Sequence, residues 1–213
     1  MQRIIIFANG EIPRLESARL LLHADDYLIC ADGGTRHALA LGLKPNLVIG
    51  DMDSIDQAQW QKLKSAGVPI ELFPRDKNET DLELALERAI ELGPKVILII
   101  GALGGRLDQT FGNTALLSDS RLASVNVRLD DGLEEIFFCR DQAEVRGRSG
   151  DLVSLIPWGN PVQGVQTQGL QWSLQRETLL PEKTRGISNE MTGETASITI
   201  TSGLLLVIHR RES

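Results

Sequence analysis

The chain has 213 residues, of which 42% are hydrophobic and 24% charged, and its formal net charge at pH 7 is −7. This length permits one large or two small domains, and the acidic balance argues against a general nucleic-acid binder, whose surface is usually basic. No apolar stretch approaches the roughly 20 residues that a membrane-spanning helix needs, so we expect no nucleic-acid or membrane partner.

The first apolar run covers only residues 4–7, which is too short for a signal sequence. Cys30 and Cys139 lie in apolar contexts and lack the spacing of metal ligands. We therefore expect two buried free thiols, which suit a reducing compartment, and a cytoplasmic protein.

The first 130 residues alternate between strand-like and helix-like segments. Apolar runs predict strands over residues 3–7, 27–31, 47–49, 70–73 and 95–100. Helical spacing and end signals predict helices over residues 14–23, 35–41 (capped by Thr35), 56–66, 80–92 (opened by a capping box) and 107–117. This alternation predicts an α/β fold, in which a mostly parallel sheet carries helices on both faces.

The remaining residues, 131–213, show short β-like runs and no clear helical period. The runs cover residues 135–139, 152–156, 162–167, 196–201 and 204–209, with Gly, Pro and Asn between them. They predict a C-terminal all-β sandwich-like domain, with a barrel as the alternative. We expect the turn at residues 201–203 to join the last two strands as a hairpin.

Two carboxylates follow the third predicted strand directly. Asp51 and Asp53 are two residues apart, so in an extended segment they point the same way. Ligands of parallel sheets bind beyond the carboxyl ends of the strands, and Mg²⁺ prefers carboxylates together with waters and substrate phosphates. The simpler alternative is a solvated turn in which Asp53 or Ser54 caps the next helix.

A second cluster precedes the helix predicted from residue 80. Asp81 lies in the first turn of that helix, where the helix dipole alone would favour a carboxylate. Arg75 and Lys77 come just before it and can bind phosphate oxygens, although ordinary exposed loop charges would give the same pattern.

A third cluster follows the strand predicted over residues 95–100. In the loop from Gly104 to Arg106, backbone N–H groups and a helix N-terminus can approach an anion. Arg106 would neutralise a phosphate, Asp108 would ligate a metal or receive a proton, and Gln109 would donate a hydrogen bond. Such a loop is often only a tight turn, and it matches neither the P-loop nor the dinucleotide pattern.

The sequence offers no dedicated nucleophile. His23, His37 and His209 are scattered over predicted helices and strands, where packing is their simplest role. A displacement driven by a metal ion and by positioning, as in phosphoryl transfer, fits this composition best. We interpret the three clusters together as a Mg²⁺-nucleotide site.

These motifs resemble those of the thiamine pyrophosphokinase family. The resemblance covers nearly the whole chain in order, in residues 32–34, 50–54, 77–81, 104–109 with Asn113, and 186–190. It implies an α/β catalytic, ATP-binding domain at residues 1–130 and a β-rich thiamine-binding and dimerisation domain at residues 131–213. It also implies a homodimer with thiamine held between subunits, and a reaction in which ATP and thiamine give thiamine diphosphate and AMP.

The resemblance also assigns roles to residues. The metal ligands for Mg²⁺ would be Asp51, Asp53 and Asp81, which with Arg106 and Asp108 form the catalytic set. ATP would be bound by Asp32, Gly33, Lys77, Thr80, Gly105, Arg106, Gln109 and Asn113. Thiamine would be bound by Ser188, Asn189 and Trp172. The chain departs from the family at Asn78, where many relatives have aspartate, and at Gln109, where many bacterial members have histidine.

Two other functions remain open from the sequence. A diphosphokinase that acts on another alcohol, such as a pterin, would have the same nucleotide half and a different β-rich domain. A non-catalytic module that senses a Mg²⁺-nucleotide would keep the Asp cluster without turnover. Release of AMP in the presence of candidate alcohols distinguishes all three.

Overall fold

The computed structural model describes residues 3–212. The chain divides into two compact units, the first ending at Gly132 and the second beginning at Leu133. In the described residues, every α-helix lies in the first unit, and the second unit is built from strands.

The first unit alternates strands and helices as the sequence predicts. Its strands are β1 (Arg3–Phe7), β2 (Tyr27–Ala31), β3 (Leu47–Gly50), β4 (Ile70–Leu72), β5 (Val96–Ile100) and β6 (Asn126–Asp130). Its helices are α1 (Leu15–Arg19), α2 (Thr35–Ala40), α3 (Gln57–Ser65), α4 (Asp81–Glu91) and α5 (Leu107–Leu116). Two 3₁₀ segments, Asp32–Gly34 and Ser120–Leu122, follow β2 and α5.

These strands form a parallel sheet in the order β6-β5-β1-β2-β3-β4. The chain runs outward from β1 through β2, β3 and β4, and then returns to the other side of β1 with β5 and β6. The strand order therefore reverses between β1 and β5. In open parallel sheets, a crevice for ligands forms at the carboxyl ends of the strands at such a reversal.

Helices cover both faces of this sheet. Ile5 and Phe7 of β1 share a buried cluster with Ala18, Ala38 and Leu63, which come from α1, α2 and α3. Neighbouring residues of a strand point to opposite faces, and α4 contacts β1, β2 and β3 through its own set of buried residues, Leu82, Ala85, Leu86 and Ala89. The α/β prediction with helices on both faces is confirmed.

Two local predictions for this unit were wrong, and one strand was missed. Helix α1 ends at Arg19 instead of continuing to residue 23, because the chain turns there and Asp26 Oδ2 accepts the His23 N–H at 2.7 Å. Thr35 does not cap α2: it lies inside the helix, and its hydroxyl donates to the Asp32 carbonyl at 2.8 Å. Strand β6 was missed, because Arg128 interrupts its short apolar pattern.

The second unit is a β-sandwich. Its strands are β7 (Glu134–Cys139), β8 (Gln142–Arg146), β9 (Leu152–Pro157), β10 (Val162–Gln168), β11 (Glu177–Leu179), β12 (Asn189–Glu190), β13 (Thr195–Thr199) and β14 (Leu205–Arg210). They pair antiparallel in the orders β12-β9-β14-β7 and β11-β10-β13-β8. One buried cluster takes Val153 and Val207 from the first sheet, and Val165 and Ile198 from the second, which confirms the sandwich-like prediction.

The predicted hairpin between the last two strands is wrong. Strand β13 pairs with β8 and β10, whereas β14 pairs with β7 and β9. The turn at residues 201–203 therefore crosses from one sheet to the other, and Ser202 forms a bridge with Gln163 of β10. Alternating polarity identifies a strand but does not identify its partner.

The two cysteines are free and buried, as predicted. Burial raises the pKa of the Cys30 thiol and of the Cys139 thiol to about 12, so both stay protonated at neutral pH. Across residues 3–212, none of the helices combines the length and the apolar character needed to cross a membrane.

Candidate active site

A cavity of about 660 Å³ lies at the carboxyl ends of the parallel strands in the first unit. It is bordered by Asn9 and Gly10 after β1 and by Gly101 and Ala102 after β5, so it lies where the strand order reverses. The predicted site residues that line it are Asp32, Asp51, Asp53, Thr80, Asp81, Arg106, Asp108, Gln109 and Asn113. Gly33, Lys77 and Gly105 are not part of its lining.

The backbone at the strand ends adopts conformations that most residues avoid. Asp32 has a φ of +42° and Met52 a φ of +64°, both in the left-handed region. Gly50 has a φ of +147°, and a Cβ placed there would lie 2.9 Å from Asp32 Cβ and 3.1 Å from Asp81 Oδ1. Only glycine lets the end of β3 approach both carboxylate residues this closely. Strain of this kind is concentrated at functional sites.

Three aspartates form a compact acidic cluster in this cavity. The carboxylates of Asp32, Asp51 and Asp53 offer oxygen atoms that all lie within 4.8 Å of one another. Asp32 is only 4% exposed, and its Oδ1 has no hydrogen-bond partner among the described residues. A buried carboxylate oxygen without a partner is costly, and a divalent cation is the ligand that satisfies such a set. The donor set therefore fits Mg²⁺.

Asp81 lies beside this cluster and faces a lysine. Lys77 Nζ is 3.0 Å from Asp81 Oδ1, and the lysine side chain is only 11% exposed. Burial raises the pKa of Asp81, and the negative charges of Asp32 and Asp51 add to the effect, while the hydrogen bond and charge of Lys77 oppose it. The compact group of three carboxylates therefore consists of Asp32, Asp51 and Asp53. Asp81, the third predicted ligand, is instead paired with the Lys77 ammonium group.

The start of α4 brings Thr80 to the cavity. As the sequence predicts, Thr80 is the N-cap, and its hydroxyl oxygen accepts the Glu83 N–H at 3.1 Å. On the exposed side of the cluster, Arg75 lies 3.4 Å from Asp53, and the Ser54 hydroxyl donates to Asp53 at 3.2 Å. The positive end of the α4 dipole and two cations therefore border the acidic group.

The glycine-rich loop leads into α5. Gly104 and Gly105 have φ values of +76° and +67°, which favour glycine. Arg106 then forms a bidentate ion pair with Asp108, with Nε 3.1 Å from Oδ1 and Nη2 2.5 Å from Oδ2. This hydrogen bond lowers the pKa of Asp108. Asn113 Nδ2 donates to the Ala102 carbonyl at 2.9 Å and so fixes the preceding loop.

The loop after β1 is held by two side chains of α2 that sequence reasoning did not assign to the site. The Arg36 guanidinium donates to the carbonyls of Asn9 and Gly10 at 2.8 and 3.1 Å, and His37 Nε2 donates to Gly10 at 2.8 Å. Burial, together with the charge of Arg36, lowers the pKa of His37. Asn9 Nδ2 reaches Ser54 Oγ at 3.4 Å. The small residues directly after a buried strand indicated a tight turn here, but no local pattern indicated that Arg36 and His37 would hold it.

The three predicted thiamine-side residues lie in the second unit. Ser188 is exposed, with a φ of +56°, and the Trp172 side chain is 53% exposed. Asn189 is buried, and its carboxamide is hydrogen-bonded to both backbone groups of Trp172. Ser188 and Trp172 are therefore accessible to a ligand, while most of the polar capacity of Asn189 is already used.

Comparison with known proteins matches the two units to two domains of one protein family. A family model described as the thiamin pyrophosphokinase catalytic domain matches residues 18–129, and one described as the thiamin pyrophosphokinase vitamin B1 binding domain matches residues 141–205. The sequence is 28% identical to thiamine pyrophosphokinase from Bacillus subtilis (strain 168), over 98% of both chains. The crystal structure of thiamine pyrophosphokinase from Bacillus subtilis superimposes with a TM-score of 0.90 at 26% identity, over 100% of both chains. The enzyme from Geobacillus thermodenitrificans gives 0.85 at 26% identity, over 100% of this chain and 99% of that one.

Proposed function

Because the chain belongs to the thiamin pyrophosphokinase family, we propose that it transfers the diphosphate group of ATP to the hydroxyl of thiamine, giving thiamine diphosphate and AMP. The observation that carries this proposal is the acidic cluster in a 660 Å³ cavity at the strand ends, within the part of the chain that matches the catalytic-domain model. Phosphoryl-transfer enzymes work mainly by positioning and electrostatic stabilisation, and this cavity offers groups for both.

Mg²⁺ is the cation that the cluster would hold. We assign Asp51 and Asp53 as ligands, as the sequence resemblance implies, and add Asp32 because of its unpartnered buried oxygen. Asp81 would join this set if Lys77, which lies 3.0 Å away, turned to a phosphate oxygen. When bound, the ion supplies charge neutralisation on the phosphate oxygens and fixes their orientation.

The chain's own residues bind and orient the triphosphate. Lys77 and Arg106 supply positive charge for its oxygens, and the first turn of α4, from Thr80 to Glu83, lines the same cavity and adds the partial positive charge of a helix N-terminus. Gly105 leaves room for close backbone approach, while Asn113 and Gln109 on α5 fix the loop and donate hydrogen bonds. Asp32 lines the cavity after β2, and the family resemblance assigns Gly33, which follows it, to the nucleotide site.

In the reaction, the hydroxyl oxygen of thiamine attacks the β-phosphorus, and the bond from that phosphorus to the oxygen bridging it to the α-phosphorus breaks. AMP leaves with that oxygen, and the hydroxyl proton is released. Lys77 and Arg106 stabilise the charge that develops on the phosphate oxygens. Asp108 either accepts the hydroxyl proton or orients the metal shell, and both roles require its ion pair with Arg106 to open.

We extend the proposal to the second unit. The exposed Trp172 offers an aromatic face to the cationic thiazolium ring, and the Ser188 hydroxyl offers a hydrogen bond, with Asn189 part of the same site. Following the family resemblance, the active form would be a homodimer in which this unit completes the site of the partner chain. A cytoplasmic location is supported by the two free buried thiols.

The proposal is tested by measuring AMP release from Mg²⁺-ATP with thiamine, with a pterin alcohol, and with no acceptor. We expect AMP only with thiamine. AMP formed only with the pterin alcohol would assign a different acceptor, and tight ATP binding with no AMP from any alcohol would contradict an enzymatic role.

A further inference from the structure

Asn189 is buried in the second unit, and its side chain is committed to the backbone of Trp172. Asn189 is 8% exposed. Its Oδ1 accepts the N–H groups of Trp172 and Glu190, each at 3.0 Å, and its Nδ2 donates to the Trp172 carbonyl at 2.7 Å. Both lone pairs of the oxygen and one of the two amide hydrogens are therefore used, which leaves little for a ligand.

The strand register explains why Asn189 meets Trp172. Leu170 forms an antiparallel bridge with Met191, and the Gln171 N–H donates to the Glu190 carbonyl at 2.8 Å. Continuing this register places Trp172 opposite Asn189. Strand β12 has only two residues, and the carboxamide of Asn189 supplies the two hydrogen bonds that a peptide group would make at this position.

The result is an exposed indole on a fixed backbone. The Trp172 side chain is 53% exposed. Within the described part of the chain its ring has no aromatic or cationic neighbour, whereas Trp158 packs against Phe138 at 5.4 Å and Trp60 contacts Lys64 at 4.9 Å. A tryptophan has only two side-chain torsions, so a fixed backbone leaves it little conformational entropy to lose on binding. The available aromatic face suits a cationic ring.

We propose that Asn189 is a positioning residue that acts through Trp172. It holds the backbone of Trp172, so that the indole is preorganised to stack on the thiazolium ring of thiamine, and it does not itself bind the substrate. This inference rests on the proposed function for the identity of the ligand, but the anchoring of Trp172 can be measured without any ligand.

The experiment is a double-mutant cycle with separate KM values for thiamine and ATP. Asn189→Ala and Trp172→Ala should each raise KM for thiamine about tenfold, the scale of one or two lost hydrogen bonds or one cation–π contact. KM for ATP should stay within about twofold. The double variant should be no worse than Trp172→Ala, because a residue that acts only through the indole has no effect without it.

Thr167→Val is the matched control. Thr167 of β10 is also buried, and its hydroxyl oxygen accepts the N–H of Leu174, which lies in the same loop as Trp172, at 2.9 Å. It should lower the melting temperature and leave KM for thiamine unchanged. An equal rise in KM for Thr167→Val would overturn the proposal, because loop stability alone would then explain the effect. Additive losses in the double variant would also overturn it, since they would mean that Asn189 contacts thiamine directly.

A fluorescence measurement separates this inference from the proposed function. In a chain with Trp60→Phe and Trp158→Phe, the remaining indole should show lower anisotropy after Asn189→Ala, and an intermediate value after Asn189→Asp, which keeps the acceptor and loses the donor. If the unmodified chain formed no AMP from thiamine, the proposed function would be wrong. The fluorescence anisotropy of Trp172 would still show whether Asn189 holds the Trp172 backbone in place. Unchanged anisotropy in both variants would overturn it.

Discussion

Lys77 Nζ lies 3.0 Å from Asp81 Oδ1, and the loop that precedes α4 brings the two side chains together. The lysine is nearly buried, so its charge is held beside the acidic cluster before any nucleotide binds. In the proposed site, phosphate oxygens would draw Lys77 away from Asp81, and Asp81 would then be able to join the acidic cluster. The first prediction tests this exchange.

Lys77→Ala should lower kcat/KM for ATP roughly 30- to 1000-fold, the range for loss of one charge-stabilising donor. Lys77→Arg should restore part of it, because the charge returns with a different geometry. The comparison is with Lys64→Ala, a lysine on α3 that contacts Trp60 and should have no effect. Equal activity of Lys77→Ala and Lys64→Ala would remove Lys77 from the nucleotide site.

Asp32→Asn should raise the thermal stability of the chain and weaken its binding of Mg²⁺. The substitution removes a buried carboxylate that has an unpartnered oxygen and lies close to Asp51 and Asp53, and asparagine tolerates the left-handed backbone at this position. Without Mg²⁺ we expect the melting temperature to rise by about 2–6 °C. Calorimetric titration should show weaker Mg²⁺ binding.

The exposed Glu194→Gln serves as the control and should change neither quantity, because Glu194 lies outside the cavity and outside both carboxylate groups that could hold a metal ion. A fall in the melting temperature of Asp32→Asn, combined with unchanged Mg²⁺ affinity, would show that Asp32 has an ordinary structural role.

Arg106→Ala should reduce kcat/KM roughly 30- to 1000-fold, because the loop after β5 would lose its only guanidinium at the helix start. Arg106→Lys should recover only part of the activity, since a lysine does not form a bidentate contact. Arg121→Ala is the matched control: this arginine is also exposed and paired with a carboxylate, Asp119, at 2.7 Å, but lies outside the cavity. An effect of Arg106→Ala below about threefold would make Arg106 a bystander.

The second unit should lose stability in acid through Asp151. Burial alone would raise the pKa of Asp151, but hydrogen bonds from the Arg148 N–H, from His209 and from the Glu212 N–H together hold this pKa below its ordinary value of 3.8. The folded state therefore favours the carboxylate. The ionised Asp151 therefore adds to the free energy of unfolding above pH 3.8. This stabilisation is lost as the pH falls through the lowered pKa of Asp151.

Thermal unfolding at a series of pH values checks this sign. Asp151→Asn should be less stable than the unmodified chain at pH 6, and the gap should narrow steadily below about pH 4. If the difference in stability between the two chains widened on acidification, the folded state would favour the protonated form of Asp151, which contradicts the prediction. The network includes both His209 ring nitrogens, 3.0 Å from Asp151 and from Glu135.

Mixing two inactive variants tests the shared site of the proposed homodimer. Asp51→Asn would damage the proposed metal cluster, and Ser188→Ala would damage the proposed thiamine side. In mixed dimers, one of the two sites would contain neither change, so some activity should return once subunits have exchanged. Mixed dimers verified by two affinity tags but without recovered activity would place thiamine binding within a single chain.

The sequence predicted the fold better than it predicted contacts between distant segments. The order of strands and helices in the first unit follows from apolar periodicity. Asp51 and Asp53 do lie close together, but the predicted reason was wrong: β3 ends at Gly50, and Met52 between them has a φ of +64°, so the two carboxylates meet at a turn and not on an extended segment. The addition of Asp32 to that pair depends on β2 lying next to β3, which no local pattern states. In the second unit, β8 was missed because Val145 is its only buried residue.

Roles that depend on side chain to backbone contacts were the hardest to predict. The family resemblance pointed to Asn189, but its hydrogen bonds to Trp172 join residues 17 positions apart. His209 was interpreted as a packing residue, and it is buried as that interpretation requires. Its carboxylate partners, however, lie 58 and 74 residues away in sequence, and only the pairing of β14 with β7 and β9 brings them together.

The most direct test of the central claim follows the β-phosphate of ATP. The chain is incubated with thiamine, Mg²⁺ and ATP carrying a radioactive label at the β-phosphate, and the products are separated. We predict that the label appears in thiamine diphosphate and that AMP forms in an equal amount. Label that remains in ADP, with thiamine monophosphate as the other product, would contradict diphosphate transfer.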